Sequence, residues 1–195
     1  SDPEKNKEKI ALIYVMKGDY VKANEIFKQV IEKNPNVRPI IWRFYIKSLQ
    51  ATKASADSVE SVRVFNEFLS KAKPEDILPA DYINLGRLYI AMNQDSLGVV
   101  NFGRAIQQDP NSVEAAQIKA EILFKGRKYK EAVAAYELLL KIKPKPSATD
   151  QLNLARSYTY TLQYAEADTI YTKLVELYPT NSPVVALATA WIVLK

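Results

Sequence analysis

Side chains able to carry out chemistry are scarce in this sequence. Its 195 residues include no cysteine and no histidine, which excludes a thiolate nucleophile, a histidine general base and a zinc site of the usual ligands. Residues 98–105 have the glycine spacing of a phosphate-binding loop but lack its lysine and hydroxyl residue. Glu114 and Glu121 could pair on one helix face, but a solvated face is favoured because an open surface lacks the burial that shifts a pKa. The sequence therefore predicts no catalytic residue, no cofactor and no metal ion.

The net charge of +5 suggests nucleic-acid binding, but the charge is unevenly distributed. Residues 1–74 contain fourteen Lys and Arg against nine Asp and Glu, residues 75–146 ten against nine, and residues 147–195 three against four. Much of the excess comes from Lys5, Lys7 and Lys9, which are interleaved with glutamates as on a solvated helix. Nucleic-acid binding is therefore the least favoured function.

Prolines divide the chain into units of similar length. These prolines are Pro35, Pro74, Pro110, Pro144 and Pro179, and the spacings between them are 39, 36, 34 and 35 residues. Before each proline, two amphipathic segments with apolar residues at three- and four-residue intervals are separated by a polar turn. The alternation typical of a strand is not evident, so the pattern predicts a series of helix pairs.

These units share a motif that combines an aromatic–x2–Leu–Gly–x2–Tyr opening with a later small residue, an aromatic residue and a terminal proline. With conservative replacements, it occurs at residues 82–89 with Gly98, Phe102, Ala105 and Pro110, and at residues 151–158 with Tyr164, Ala167, Tyr171, Leu174 and Pro179. The motif resembles the tetratricopeptide repeat (TPR) family, whose helix-turn-helix units are about 34 residues long.

The resemblance implies an all-α fold, namely an α-α superhelix (TPR solenoid) of about five helix-turn-helix repeats plus a C-terminal helix. The repeats are expected at approximately 4–37, 38–75, 79–112, 113–146 and 148–181, with the terminal helix at 183–195, in a single domain covering 1–195. Small residues such as Gly86 and Gly98 are expected where helices cross closely, beside aromatic residues such as Phe102. The second repeat departs from the pattern, because Ile46 occupies a small-residue position and residues 53–58 should lengthen the turn.

In proteins of this family the first helices line a concave groove that holds an extended peptide or a partner helix, so the resemblance also implies binding residues. The positions that flank the packing residues are Arg43, Lys47, Asn84, Arg87, Gln117, Glu121, Asn153 and Arg156. An asparagine can bridge peptide backbone groups, and an arginine can bind a carboxylate with two parallel hydrogen bonds. The set predicts an extended ligand that is acidic or ends in a carboxylate, and a hydrated groove without a dedicated ligand is the open alternative.

The implied function is a non-catalytic protein–protein interaction scaffold with another protein or a peptide as its partner. The alternative is a regulatory or sensory module of a larger enzyme or transcription regulator.

The apolar tail predicts an exposed face on the C-terminal helix through which the chain could self-associate. Its continuous apolar stretch, residues 184–194, is shorter than the roughly 20 residues of a membrane span, so no span is predicted. Cytoplasm and periplasm both fit the sequence, the latter with a signal peptide removed before Ser1.

Overall fold

The computed structural model describes residues 3–194 of the chain. This part contains eleven α-helices, one short 3-10 turn at Pro74–Asp76 and no β-strand, so the predicted all-α fold is confirmed. The helices form five successive pairs followed by a single helix, and Lys195 of the predicted terminal helix lies outside the described residues. They are α1 Pro3–Lys17, α2 Tyr20–Lys33, α3 Pro39–Ala51, α4 Ser55–Lys71, α5 Pro79–Ala91, α6 Asp95–Gln108, α7 Val113–Lys125, α8 Tyr129–Ile142, α9 Ala148–Tyr160, α10 Tyr164–Leu177 and α11 Pro183–Leu194.

The helices are divided between two compact units, Ser1–Asp81 and Tyr82–Lys195. The N-terminal unit holds α1 to α4 and the first residues of α5, and the C-terminal unit holds the rest of α5 and α6 to α11. The expected single domain covering residues 1–195 stays a prediction. No helix within residues 3–194 combines the length and the apolar character needed to cross a membrane.

The turn inside each helix pair contains one residue with a left-handed backbone. These residues have φ angles between 57° and 76° and are Gly18, Lys53, Asn93, Arg127 and Leu162. In four of the five turns the next backbone N–H donates to the carbonyl oxygen five residues earlier, at 2.8–2.9 Å, as in a Schellman motif that ends a helix. Only the first turn uses glycine, the residue that adopts this conformation at least cost. In the fourth pair Gly126 precedes the left-handed residue and has φ −75°.

The core of the N-terminal unit is rich in aromatic residues. The ring centroids of Phe27 and Tyr45 lie 5.9 Å apart, and those of Trp42 and Phe68 lie 6.1 Å apart. All four side chains are buried, as is Ile46. The large residue at the expected small-residue position is therefore part of this core.

The second helix pair differs from the expectation of a longer turn. Residues 53–58 do not form an extended turn, because α4 begins at Ser55 and the backbone N–H of Ser58 donates to the Ala54 carbonyl oxygen at 3.1 Å. As a result α4 has 17 residues, whereas the second helix of every other pair has 14. Asp57 in the first turn favours this earlier start, because a carboxylate is stabilised by the N-terminal end of the helix dipole.

In the C-terminal unit each helix from α6 to α11 packs against the next one along the chain. Gly86 and Gly98 mark the closest crossing of α5 and α6, beside the fully buried ring of Phe102. A Cβ atom on Gly86 would lie 3.0 Å from that ring and 3.2 Å from the Gly98 carbonyl oxygen, and a Cβ atom on Gly98 would overlap the Ile90 side chain. The close approach therefore favours glycine at both positions, most strongly at Gly86, where the contacts are an aromatic ring and a backbone oxygen rather than a flexible side chain.

Candidate functional site

All eight residues that the sequence proposes for ligand binding reach solvent. Lys47, Asn84 and Arg87 are exposed and the other five are half-buried. Other residues of the same helices are buried, such as the two leucines on either side of Asn153. The first helices α3, α5, α7 and α9 therefore bury one face and present a polar face to water.

Arg43 is held by a carboxylate of the N-terminal unit. Its Nε and Nη2 atoms donate to the two carboxylate oxygens of Asp81 at 2.8 and 2.7 Å, and Nη2 also donates to the Asp76 carbonyl oxygen at 2.6 Å. Asp81 is buried, accepts a further hydrogen bond from the Leu78 backbone N–H at 2.8 Å, and raises the pKa of Arg43. Lys47, one turn further along α3, is exposed and has no ion pair within residues 3–194. Arg43 thus already binds within its own unit, and Lys47 remains available.

Gln117 and Glu121 belong to a polar network in the C-terminal unit. Gln117 Nε2 donates to Glu121 Oε1 at 2.6 Å and to Asp150 Oδ1 at 3.0 Å. Lys143 Nζ donates to Gln117 Oε1 and to Asp150 Oδ2, both at 2.7 Å. The side chain of Asp150 is 4% exposed and that of Lys143 is 24% exposed. The network therefore joins α7 to the loop before α9 and to the first turn of α9.

Asp150 and Lys143 are not among the residues that the sequence analysis proposes. A signal for Asp150 was present, since Ser147 and Asp150 have the spacing of a capping box. Both of its hydrogen bonds form: the Asp150 backbone N–H donates to Ser147 Oγ at 3.1 Å, and the Ser147 backbone N–H donates to the Asp150 carboxylate at 2.9 Å. The capping pattern predicts where α9 begins, but it does not show which cation reaches the carboxylate.

We expect this network to make stability depend on pH in acid. Burial raises the pKa of Asp150, but hydrogen bonds from Lys143, Ser147 and Gln117 outweigh it and hold the pKa below its usual value of 3.8. Such a group stabilises the fold above its unfolded pKa, and this contribution is lost as the pH falls through the folded pKa. Between about pH 5 and pH 2 the wild type should therefore lose more stability than Asp150→Asn, measured as urea midpoints at each pH. Parallel pH profiles would contradict this assignment.

Arg87 and Glu114 form an exposed ion pair between α5 and α7. Arg87 Nη2 donates to Glu114 Oε1 at 2.6 Å, and the two side chains are 57% and 54% exposed. Such a pair contributes about 0–1 kcal/mol, so a charged ligand can replace either partner. Glu114 and Glu121 therefore bind different partners, and among residues 3–194 no group of three or more carboxylates is placed to hold a metal ion.

Asn153 and Arg156 both contact aromatic residues. Asn153 Nδ2 donates to the hydroxyl of buried Tyr136 at 3.1 Å, and burial raises the pKa of that hydroxyl to about 12. The guanidinium carbon of Arg156 lies 5.1 Å from the centroid of the Phe124 ring, in cation–π contact. In the described part of the chain Arg156 has no carboxylate partner. Its N–H groups are therefore available to an anion.

Beside Arg156 lies an apolar cavity of about 360 Å3 between α9 and α11. Trp191 forms part of its wall and is held in place by its Nε1–H, which donates to Asp168 at 2.9 Å, and by ring contacts with Tyr164 and Tyr171 at 5.9 and 5.5 Å. No pattern along the sequence indicates this cavity, because its walls come from three helices. The lining residues are Leu152, Arg156, Thr159, Tyr160, Tyr171, Leu187, Ala190 and Trp191.

Sequence models of a single repeat family match three of the five helix pairs. One tetratricopeptide repeat model matches residues 8–36 and 151–181, and a second matches residues 113–146. The chain belongs to the tetratricopeptide repeat family. The two pairs outside these TPR matches are α3 with α4, which contains the longer second helix, and α5 with α6.

Several solved structures, among them two described as TPR proteins, have the same fold. The C-terminal part of a TPR repeat-containing protein from Cytophaga hutchinsonii is 20% identical, with a TM-score of 0.61 over 89% of this chain and 66% of its own. MamA is 17% identical, with a TM-score of 0.67 over 89% of this chain and 90% of its own. YrrB, described as a TPR protein with an unusual peptide-binding site, is 15% identical, with a TM-score of 0.66 over 96% and 91%. No curated protein sequence matches the chain. The predicted TPR solenoid fold is confirmed.

Proposed function

We propose that this TPR protein is a non-catalytic scaffold that binds an extended peptide or a partner helix on the polar faces of its first helices. The observation that carries the proposal is that all eight predicted binding residues reach solvent, three of them exposed and five half-buried, on helices whose opposite faces are buried. Solenoid repeats use such surfaces to bind extended partners. The peptide-binding site named for YrrB supports the same use of this fold.

In the C-terminal unit four residues are the best candidates for contact with the ligand. Asn84 is exposed and has no hydrogen-bond partner within residues 3–194, and Arg87 is held only by an exposed ion pair. Asn153 donates one side-chain N–H to a tyrosine hydroxyl and its side-chain amide oxygen has no partner among the described residues, and Arg156 has no carboxylate partner there. Two amides and two guanidinium groups suit an extended ligand with acidic residues.

Arg43 and Gln117 have a different role in this proposal. Their polar atoms already bind Asp81 and the Lys143–Asp150 pair, respectively. We assign them to positioning the first helices. A ligand that drew Arg43 away from Asp81 would break a largely buried ion pair, at a cost of about 3–5 kcal/mol, and one that drew Gln117 away would remove a hydrogen bond from each member of the Lys143–Asp150 pair.

The proposal can be tested by selecting peptides from a random display library against the wild-type protein. The dissociation constants of the enriched peptides are then measured by fluorescence anisotropy for the wild type and for Arg87→Glu/Arg156→Glu. We expect the double variant to bind at least about tenfold more weakly, because the reversed charges repel an acidic ligand.

A matched control is Arg104→Glu/Arg127→Glu, which makes the same charge change at two exposed arginines of the C-terminal unit, outside the first helices. This control should bind the peptides as the wild type does. Failure to enrich any peptide, or equal binding by a correctly folded Arg87→Glu/Arg156→Glu variant, would refute the proposal.

A further inference from the structure

We infer that the cavity between α9 and α11 receives an aromatic side chain of a bound peptide, and that an acidic residue next to it in the peptide binds Arg156. The inference rests on the proposed function and specifies the sequence that this part of the surface selects. It follows from the size of the cavity, its fixed walls and its single charge.

The cavity has the size and chemistry to hold one large side chain. Its volume of about 360 Å3 is at the lower end of the roughly 300–1,000 Å3 of small-molecule pockets. Tyr160, Tyr171 and Trp191 form much of the wall, and aromatic rings pack well against one another in offset or edge-to-face contacts. Leu187 and Tyr160 are about half exposed, so the entrance to the cavity is open. A ligand that covers these two side chains buries their apolar surface, which favours binding.

The walls are already ordered before a ligand binds. The Nε1–H of Trp191 donates to Asp168 at 2.9 Å, and the hydroxyl oxygens of Thr159 and Tyr171 lie 3.3 Å apart, within hydrogen-bond distance. Tyr171 is also buried, and its ring contacts Trp191. A side chain that enters the cavity therefore does not have to order its walls, which reduces the entropic cost of binding.

Arg156 determines the charge of the ligand. It is the only charged residue among the eight that line the cavity, and its contact with the Phe124 ring holds the guanidinium at the cavity wall. The other arginines of the predicted binding set differ, since Arg43 binds Asp81 and Arg87 binds Glu114. An unpaired guanidinium beside an apolar wall favours a carboxylate, because charge-assisted hydrogen bonds are strong where water is partly excluded.

A second copy of this chain fits the cavity less well than such a peptide does. In a two-fold contact the same surface lies on both sides, so the lining of this cavity in one copy, including Arg156, would face the same set of residues in the other. No carboxylate among the lining residues could neutralise the two Arg156 side chains.

The test uses three short peptides, each acetylated at the N-terminus and amidated at the C-terminus: Ser-Asp-Phe-Asp-Ser, Ser-Asn-Phe-Asn-Ser and Ser-Asp-Ala-Asp-Ser. The chain has two tryptophans, so binding is followed in nitrogen-15 NMR spectra through the indole N–H signals of Trp42 and Trp191, assigned with Trp191→Phe. The Asp-Phe-Asp peptide should shift the Trp191 signal and leave that of buried Trp42 unchanged. It should bind about tenfold more tightly than the Asn-Phe-Asn peptide, in keeping with one charge-assisted contact, and the alanine peptide should give no saturable shift.

Arg156→Gln should remove the preference for the acidic peptide and leave the affinity for the Asn-Phe-Asn peptide unchanged. The matched control is Arg104→Gln, because Arg104 also lies over an aromatic ring, that of Tyr82 at 5.9 Å, but outside the cavity. This control should keep the preference. Equal affinities of the acidic and amide peptides for the wild type, or a preference that survives in Arg156→Gln, would overturn the inference.

Three further outcomes would also overturn it. Binding only of acetyl-Ser-Asn-Phe with a free C-terminal carboxylate would assign Arg156 to a chain terminus, and concentration-dependent dimers that lose the Trp191 shift on dilution would assign the cavity to a second copy. If library peptides bind through the first helices but leave the Trp191 signal unchanged, the inference fails and the proposed function stands. If the library yields no binding peptide, the proposed function itself fails.

Discussion

Replacing Asp150 by alanine is expected to lower the free energy of unfolding by about 3 kcal/mol. The substitution leaves the ammonium group of Lys143, which is only 24% exposed, without its carboxylate partner. It also removes the acceptor for the Ser147 backbone N–H and for the Gln117 amide. Both losses act in the same direction, because a half-buried charge and buried donors are left unsatisfied. The measurement is the urea midpoint at neutral pH, followed by circular dichroism.

Lys143→Met provides the matched comparison for the Asp150 substitution. In this variant the buried carboxylate loses its cation but keeps its hydrogen bonds from Ser147 and Gln117, so we expect a somewhat smaller loss of about 2 kcal/mol. The double variant should be less destabilised than the sum of the two single variants, because each single variant leaves the other charge unpaired. Additive losses, or a loss below about 1 kcal/mol for Asp150→Ala, would show that the network does not stabilise the fold in this way.

Replacing Phe102 by alanine is expected to lower the free energy of unfolding by about 4 kcal/mol. The ring is completely buried at the crossing of α5 and α6, in a cluster with Ile83, Ala105 and Ala115. Removing it leaves a cavity that the neighbouring small residues cannot fill, so the transfer and cavity costs add. The loss appears as a lower midpoint in thermal and urea unfolding, with helical content at low urea as the control for folding.

Gly86→Ala gives a sharper test of the same packing. In the wild type the added Cβ atom would lie 3.0 Å from the Phe102 ring, so the substitution should destabilise although alanine is the better helix former. In the Phe102→Ala background the ring is gone and only the 3.2 Å approach to the Gly98 carbonyl oxygen remains, so the same change should be less destabilising than in the wild type. An equal effect of Gly86→Ala in both backgrounds would mean that the glycine is not required by the ring.

Much of the fold could be predicted because the signals for it are local and repeated. The regular prolines and the three- and four-residue apolar spacing indicate helix pairs, and the small residues at Gly86 and Gly98 indicate a close crossing. The turns between paired helices were harder to predict from the sequence. Four of the five left-handed positions are occupied by residues other than glycine, and at three of them, Asn93, Arg127 and Leu162, a Schellman hydrogen bond holds the residue there at a modest cost. Residues 55–58 form the first turn of α4, which the sequence did not decide because their composition is compatible with either a loop or a first helical turn.

The candidate site was predictable only in part. The polar positions of the first helices could be read from the repeat, and all of them reach solvent. Their partners could not be read, because Asp81 lies 38 residues after Arg43, and Asp150 lies 33 residues after Gln117. The cavity beside Arg156 combines residues of α9, α10 and α11, and a pattern read along one helix at a time contains no information on which side chains meet across helices.

By itself the sequence determined the class of this protein: helix pairs of the TPR type, and no cysteine or histidine to support most catalytic or metal chemistry. These properties depend on composition and on periodicity within one or two helices, where residues three or four apart must share a face. Only the tertiary structure decided which cations remain available to a ligand. Arg43, Lys143 and Arg156 are similar in sequence terms, yet two of them neutralise buried carboxylates and the third lies unpaired beside an apolar cavity. The difference arises because the interaction energy of a charged group depends on its burial and on its partners, and packing brings those partners from distant positions in the chain.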